Sequence, residues 1–519
     1  MRRRRIWIVV LLAVAAVLLA RLFVVARDLP GTITAAHFET LRADQPRMRA
    51  FLNRMPKGGD LHTHLSGAVY AERFLAWAVR DGLCFRRADM TLLPRPDGAA
   101  PDQPCGTDPA VVPLADAVSG PKGQTTYDLI LNALSTRWFL PTLAVPSGHD
   151  QFFATFGKFN AATGGSDWDQ TARRMAEMVV DELKQYDASK VQYVEFMVTF
   201  FEGADRERMT QAIGAVGEPA AMLATLQRSG LDAAVAAKAR QVAAIVAHIE
   251  GLRDCAGDAT RPGCGVTFRF IAQVNRNSAP ASVFAQTALA AGLVRAAPGM
   301  VVGLNYVGPE DYRVSLRDYR THMKWIGFLA GADVPVALHA GELWLGLVPP
   351  DDLDFHIREA VEIAGARRIG HGTAVGFERN MEGLLAEMRR RGVTIEIALT
   401  SSDVILGVRG RAHPIVTYLN AGVPVTLATD DAGVSRIDLT NEYFRAARDH
   451  GLGYARLKAI AHTALAHSFL TEAEKDREGA RLDRAFADFE QNVREEQPAS
   501  AQLVAVLQAL LPLPLPQLR

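Results

Sequence analysis

With 519 residues, the chain is roughly three times as long as a typical single domain, so it holds either several domains or one large domain with insertions. Its 49% hydrophobic and 22% charged residues are ordinary globular composition, which excludes a disordered or fibrous chain. The 57 basic residues equal the 57 acidic ones, a balance that excludes the strongly cationic character of a typical nucleic-acid binder.

The first expected element is a leader. Arg2 to Arg5 form a basic block, an apolar run covers residues 6–20, and a second apolar stretch follows Arg21 as far as Ala26. This is the pattern of a secretory signal. Together the two stretches reach about 20 residues, enough to anchor in a bilayer with Arg21 snorkelling. Residues 1–27 are therefore expected to be a signal peptide or signal anchor. Residues 28–519 would then lie outside the cytoplasm, periplasmic or secreted, with residues 6–26 as a membrane tether if the leader is retained. Cys84 and Cys105 flank a Pro/Gly-rich stretch, and Cys255 and Cys264 flank a short polar one. Neither pair has metal-type spacing; the two readings are local disulfide staples in an oxidising compartment or four free thiols.

After the leader, eight segments read as strands: 60–64, 191–198, 266–274, 301–306, 334–339, 368–371, 393–399 and 423–429. Most are runs of Val, Ile, Leu and Phe bounded by Gly, Pro or polar residues, as expected of strands buried on both faces. Helical stretches lie between them, such as 354–364 and 381–391, the latter stopped by Gly392. The alternation predicts an α/β fold with a parallel sheet, and eight repeats predict a TIM (β/α)8 barrel, with an open doubly wound sheet as the alternative. Two connections are too long for simple loops. Residues 69–190 contain the first cysteine pair and an aromatic segment, 152–159; residues 201–265 are an Ala-rich helix followed by the second pair. Both are expected to be helical insertions, after strands 1 and 2, that cover one catalytic domain spanning 28–519. Residues 499–511 read as an amphipathic helix before a Leu-Pro tail.

The chemistry-bearing residues cluster in this scheme. Asp60-Leu61-His62-Thr63-His64 lies on the first strand, where residues two apart point the same way, so His62 and His64 can offer both imidazoles to one ion. His339-Ala340-Gly341-Glu342 ends the fifth strand, Gly370-His371-Gly372 the sixth and Thr429-Asp430-Asp431 the eighth. Singly, His339 reads equally as a core histidine, Asp430 or Asp431 as a helix cap, and Glu342 as a first-turn acid. Together they fall at the C-terminal strand ends, where barrel active sites assemble. Three histidines and one aspartate leaving an open position are a donor set for one Zn2+ per chain.

Pro56-Lys57 leading into Leu61-His62-Thr63-His64-Leu65, followed in order by the three other motifs, resembles the adenosine deaminase family over most of the chain after the leader. Val307-Gly308-Pro309-Glu310-Asp311, the cysteine-containing first insertion and the leader look most like its secreted, growth-factor-related branch. The resemblance implies zinc-dependent hydrolytic deamination of adenosine, and of 2′-deoxyadenosine, to inosine and ammonia. It implies His62, His64, His339 and Asp430 as zinc ligands and Glu342 as the proton carrier to purine N1. His371 would orient the attacking water, Asp431 would hydrogen-bond that water and N7, and the Gly308 backbone would meet N3. Trp344 and Phe156, with Phe152 and Phe153, are candidates for an apolar lid over the purine; their ordinary reading is core. Ser66 is a departure: the common family pattern has an Asp there that contacts the ribose 5′-hydroxyl.

Rival chemistries lack their residues. Binuclear amidohydrolases carry a bridging Lys or Glu on the fourth strand, and Val301-Val302-Gly303-Leu304-Asn305-Tyr306 supplies neither. Cytidine-deaminase sites need a Cys-x-x-Cys pair, which the sequence does not contain. Two alternatives remain: a related mononuclear aminohydrolase acting on another adenine derivative, and a non-catalytic extracytoplasmic nucleoside-binding protein, which would have no use for Glu342.

Overall fold

The computed structural model describes residues 26–510 except Pro101, Ser166 and Glu202, together with residues 12, 19–21 and 23. Most of the expected leader lies outside the described residues. Among those described, no helix is long and apolar enough to cross a membrane.

Eight strands form the centre: β1 (Gly59–His64), β2 (Tyr193–Val198), β3 (Thr267–Asn275), β4 (Val301–Val307), β5 (Ala337–Ala340), β6 (Arg368–His371), β7 (Thr394–Ile397) and β8 (Val425–Leu427). Strands β1 to β4 pair in chain order in one sheet and β5 to β8 in another, every ladder parallel. β2 and β4 are buried along their whole length, as their apolar runs require.

A continuous eight-stranded ladder is not formed. The two sheets meet through single parallel bridges, Leu304 with Val336 at one seam and Thr63 with Asp430 at the other. At the first seam Pro335 accepts from Leu304 N–H (3.1 Å) but has no N–H to return. At the second, the chain leaves β8 through Asp430, whose φ of 60° ends the extended backbone.

Two expected strand ends are overridden by side chains. Leu399 and Thr400 open a helix, Leu399–Leu406, because the Glu442 carboxylate accepts both their N–H groups (2.6 and 3.1 Å). Strand β8 stops before Thr429, whose N–H and hydroxyl both donate to Asp60 (3.2 and 2.7 Å).

The first insertion carries a three-stranded antiparallel sheet (Cys84–Arg86, Thr91–Leu93, Val111–Pro113) that hydrophobic patterning did not anticipate. It continues into the helices Gly148–Phe159 and Trp168–Ala188. The helix Leu231–Arg253 of the second insertion packs along Trp168–Ala188. Cys84–Cys105 and Cys255–Cys264 are both disulfides, which removes the free-thiol alternative. The C-terminal helices Glu472–Glu496 and Ala499–Leu510 pack on the N-terminal helix Leu29–Thr40.

Candidate active site

The C-terminal ends of β1, β5, β6 and β8 bring His62, His64, His339, His371 and Asp430 together. His62 Nε2 lies 3.3 Å from Asp430 Oδ1, His64 Nε2 lies 3.4 Å from the same oxygen, and the Nε2 atoms of His64 and His339 are 3.1 Å apart. His62, His339, His371 and Asp430 each offer a donor atom within 4.8 Å of the others. Both His64 and His371 thus stand beside the same carboxylate.

The hydrogen bonds on the far side of three rings decide what these nitrogens are. His62 Nδ1 faces Glu396 Oε2 at 2.8 Å, and a carboxylate only accepts, so the proton sits on Nδ1. His339 Nδ1 faces Asn305 Oδ1 (2.9 Å), an oxygen that also accepts His339 N–H (3.1 Å). His64 Nδ1 faces Gln273 Oε1 (3.1 Å), and Gln273 Nε2 donates to Thr199 (2.7 Å). All three rings therefore turn an unprotonated Nε2 toward one point, where Asp430 adds an anionic oxygen. Lone pairs and a carboxylate repel at these distances unless a cation lies among them, so the donor set fits a bound metal ion. A proton on His62 Nε2 is the alternative way to meet the same demand: burial works against the ring's charge, yet the hydrogen bonds to Asp430 and Glu396 lift its pKa to about 10. Ser401 Oγ donates to the second oxygen of Asp430 (2.7 Å).

Close approach and strain build the cluster. A Cβ on Gly370 would lie 2.4 Å from His62 Cε1, so β6 passes the His62 ring only as glycine. Asp430 (φ 60°) and His371 (φ 67°) both hold left-handed backbone, a cost of about 1–3 kcal/mol each.

Next to the cluster, a cavity of about 310 Å³ is lined by Ser66, Phe156, Gly308, Glu342 and Asp431, among others. Phe152 and Phe153 also face it, from the same helix as Phe156. Trp344 does not; its ring packs edge-on against Phe377 (5.0 Å). Burial pushes the Glu342 carboxyl well above the ordinary range, and the neighbouring Asp430 adds to it. Burial likewise raises Asp431, against the pull of His64. His371 is depressed to about 4, chiefly by burial, and lies 3.5 Å from Glu342. Glu342 Oε1, Asp431 Oδ1 and both His371 nitrogens are buried without a hydrogen-bond partner, so these groups are held open for something else. The Glu342 backbone is pinned by Glu310, which accepts the N–H groups of Gly341 and Glu342 (3.1 and 2.8 Å).

Glu396, Asn305 and Gln273, which orient the three rings, belong to none of the sequence motifs. A signal was present for two of them: Asn305 and Glu396 are the amide and the charge inside otherwise apolar or weakly polar strands, Val301-Val302-Gly303-Leu304-Asn305-Tyr306 and Thr394-Ile395-Glu396-Ile397, whereas Gln273 shares its strand with Arg269 and Asn275. A charge in a strand buried on both faces must have a partner.

Parallel α/β architecture with a buried His/Asp donor cluster at the C-terminal strand ends defines a class of metal-binding α/β proteins. A family model described as adenosine deaminase matches residues 232–484, nearly half of the chain. The chain is 32% identical over 154 residues to an adenosine deaminase of Enterococcus faecalis, covering 30% of this chain and 42% of that protein. It is 29% identical over 229 residues to an adenine deaminase of Rhizobium johnstonii, covering 44% and 65%. The chain thus spans less than two thirds of the length of these curated relatives. The fold matches the crystal structure of an Arabidopsis N6-mAMP deaminase with a TM-score of 0.53 at 18% identity, covering 84% of this chain and 99% of that one.

Proposed function

We propose that the protein is a zinc-dependent aminohydrolase that converts adenosine, and 2′-deoxyadenosine, to inosine and ammonia. We read its two sheets, bridged at both seams, as a (β/α)8 barrel, and the protein as exported and acting outside the cytoplasm. The observation that carries the activity is Glu342: a buried carboxyl with a raised pKa and an unpartnered oxygen, lining a cavity beside the His/Asp cluster. A protein that only binds nucleosides has no reason to bear the cost of that group.

His62, His64, His339 and Asp430 would hold the ion. When bound, Zn2+ would act as the Lewis acid that makes water nucleophilic near neutral pH. A protonated Glu342 supplies the hydrogen bond to purine N1 that renders C6 electrophilic, then recovers its proton from the attacking water. Asp431 accepts from that water, and His371, neutral at physiological pH because of its depressed pKa, orients it. Water adds to C6, its second proton passes from the new C6 hydroxyl to N6, the C6–N6 bond breaks with formation of the C6 carbonyl, and ammonia leaves. Gly308, with φ 93° at the end of β4, lets the backbone approach the purine edge.

A second reading, an adenine derivative bearing a larger substituent, is favoured by one observation. A further cavity of about 730 Å³ shares Ser66 and Gln273 with the first, so the sugar end of the site opens onto more space than a nucleoside fills. The test is the ultraviolet spectrum of adenosine, 2′-deoxyadenosine, adenine and AMP during incubation with zinc-loaded protein and its Glu342→Gln variant. Adenosine should turn over, and the variant should lose at least ~100-fold in rate while keeping its metal. Preference for AMP would favour the second reading; no turnover of any of the four by metal-loaded protein would overturn the first.

A further inference from the structure

Barrel-type active sites occupy the C-terminal strand ends, and the N-terminal ends ordinarily serve stability alone. Here a cavity of about 260 Å³ opens at the N-terminal ends of β6 and β7. Arg367 immediately precedes β6, Arg391 ends the helix leading to β7, and His467 and Lys475 close the cavity from the C-terminal region. Neither Asp nor Glu lines it.

The compensating carboxylates lie elsewhere. Lys475 pairs with Glu472 (2.9 Å), which is 87% exposed, so the attraction is screened by water. Arg391 pairs with Glu387 one turn back on its own helix and donates to Val361 O (3.1 Å). Arg367 donates to a backbone carbonyl, Ala332 O (3.1 Å). His467 lies in the same positive field: burial lowers its pKa first, and Lys475 and Arg368 lower it further.

We propose that this cavity binds a small phosphate-type oxyanion. Two exposed guanidinium groups and a partly buried ammonium around one concavity supply forked and point-charge donors suited to phosphate. The volume admits a phosphate with a small organic group and little more. Its floor touches the active-site scaffold: Arg368 donates to His467 O (3.2 Å), lies under the Phe469 ring (3.7 Å) and pairs with Glu396, the partner of His62. The proposal does not depend on the deamination reading.

Inorganic phosphate titrated by calorimetry into the full-length, metal-loaded protein, in phosphate-free buffer at fixed ionic strength, tests it. One saturable site per chain is expected, with affinity at least tenfold weaker in both Arg367→Ala and Lys475→Glu. Lys475→Glu changes a partly exposed side chain outside the His/Asp cluster, so its circular dichroism and melting temperature without phosphate should match the parent. Glycerol phosphate as a second titrant separates free phosphate from an ester: tighter binding assigns the ester, weaker binding the free anion. Absence of saturable binding, or binding of equal strength in a folded Lys475→Glu variant, overturns the proposal.

Discussion

Glu396 joins two networks, with Oε2 2.8 Å from His62 Nδ1 and Oε1 2.6 Å from Arg368 Nε. Gln at this position would still accept from His62, but it would weaken the imidazole as a donor and leave buried Arg368 with Glu195 as its remaining carboxylate. Glu396→Gln is therefore expected to weaken metal binding by ~10–100-fold, as loss of a charged ligand-orienting partner does, read by competition with a chelator of known affinity. Unchanged affinity would show that Glu396 serves Arg368 alone. Glu378 makes a prediction about pH. It is buried, accepts the N–H groups of Ile357 and Arg358 (2.7 and 3.2 Å), and burial raises its pKa from 4.5 to about 7. Between those values the folded state holds a proton that the unfolded state has lost. Stability from this group is thus full below pH 4.5 and falls as pH rises toward 7. Glu378→Gln should remove that slope, so its stability relative to the parent should improve from pH 5 to pH 8, by up to ~3 kcal/mol. Parallel denaturation curves for the two proteins at the two pH values would count against it. At this scale the sequence announces residues that act in motifs, and His62, His64, His339, Glu342 and Asp430 were all visible. It hides residues that act singly, because Glu396, Asn305 and Gln273 gain meaning only when strands far apart in sequence become neighbours.

The first insertion shows what a single element contributes. Its three short strands are too brief to hold by pairing alone, and Cys84 on one of them is tied to Cys105 across 21 residues. Closing a loop of that length restricts the unfolded chain by about 3 kcal/mol. The sheet adjoins the second cavity through Thr91, Leu92 and Leu93, so loosening it reaches the open end of the site. Replacing both cysteines by Ser should lower the melting temperature and raise KM more than it lowers kcat, because the His/Asp cluster is built from other strands. An equal loss in kcat would place the sheet closer to the chemistry than its position implies. The central strands were readable because double-sided burial selects runs of Val, Ile and Leu, and all eight were located to within a few residues. The small sheet was not, because three-residue strands in a Pro/Gly-rich stretch carry no periodicity. The premature end of β7 was also hidden, since it depends on Glu442, more than forty residues away.

For the molecule as a whole, balanced charge and a broad apolar core say little about function, and the C-terminal strand ends say most. Four separate strand ends deliver imidazoles and carboxylates to one point, so the cluster ties the two sheets together. His62 and His64 come from the first sheet; His339, His371 and Asp430 come from or just after strands of the second. A bound ion would then be a cross-link between sheets whose ladders are interrupted at both seams. Stripping it leaves three Nε2 lone pairs and Asp430 facing one another in a buried site, with repulsion across the seam between β1 and the end of β8. Metal-free protein should therefore melt at a lower temperature than zinc-loaded protein, by the equivalent of about 4 kcal/mol when free zinc exceeds its dissociation constant a thousandfold. Scanning calorimetry before and after chelation, and again after zinc is restored, measures this. In Asp430→Asn, which keeps the shape but removes the anionic ligand, the gap between the two states should shrink. Identical melting with and without metal, where metal analysis confirms its removal, would show that the sheets are joined by packing alone.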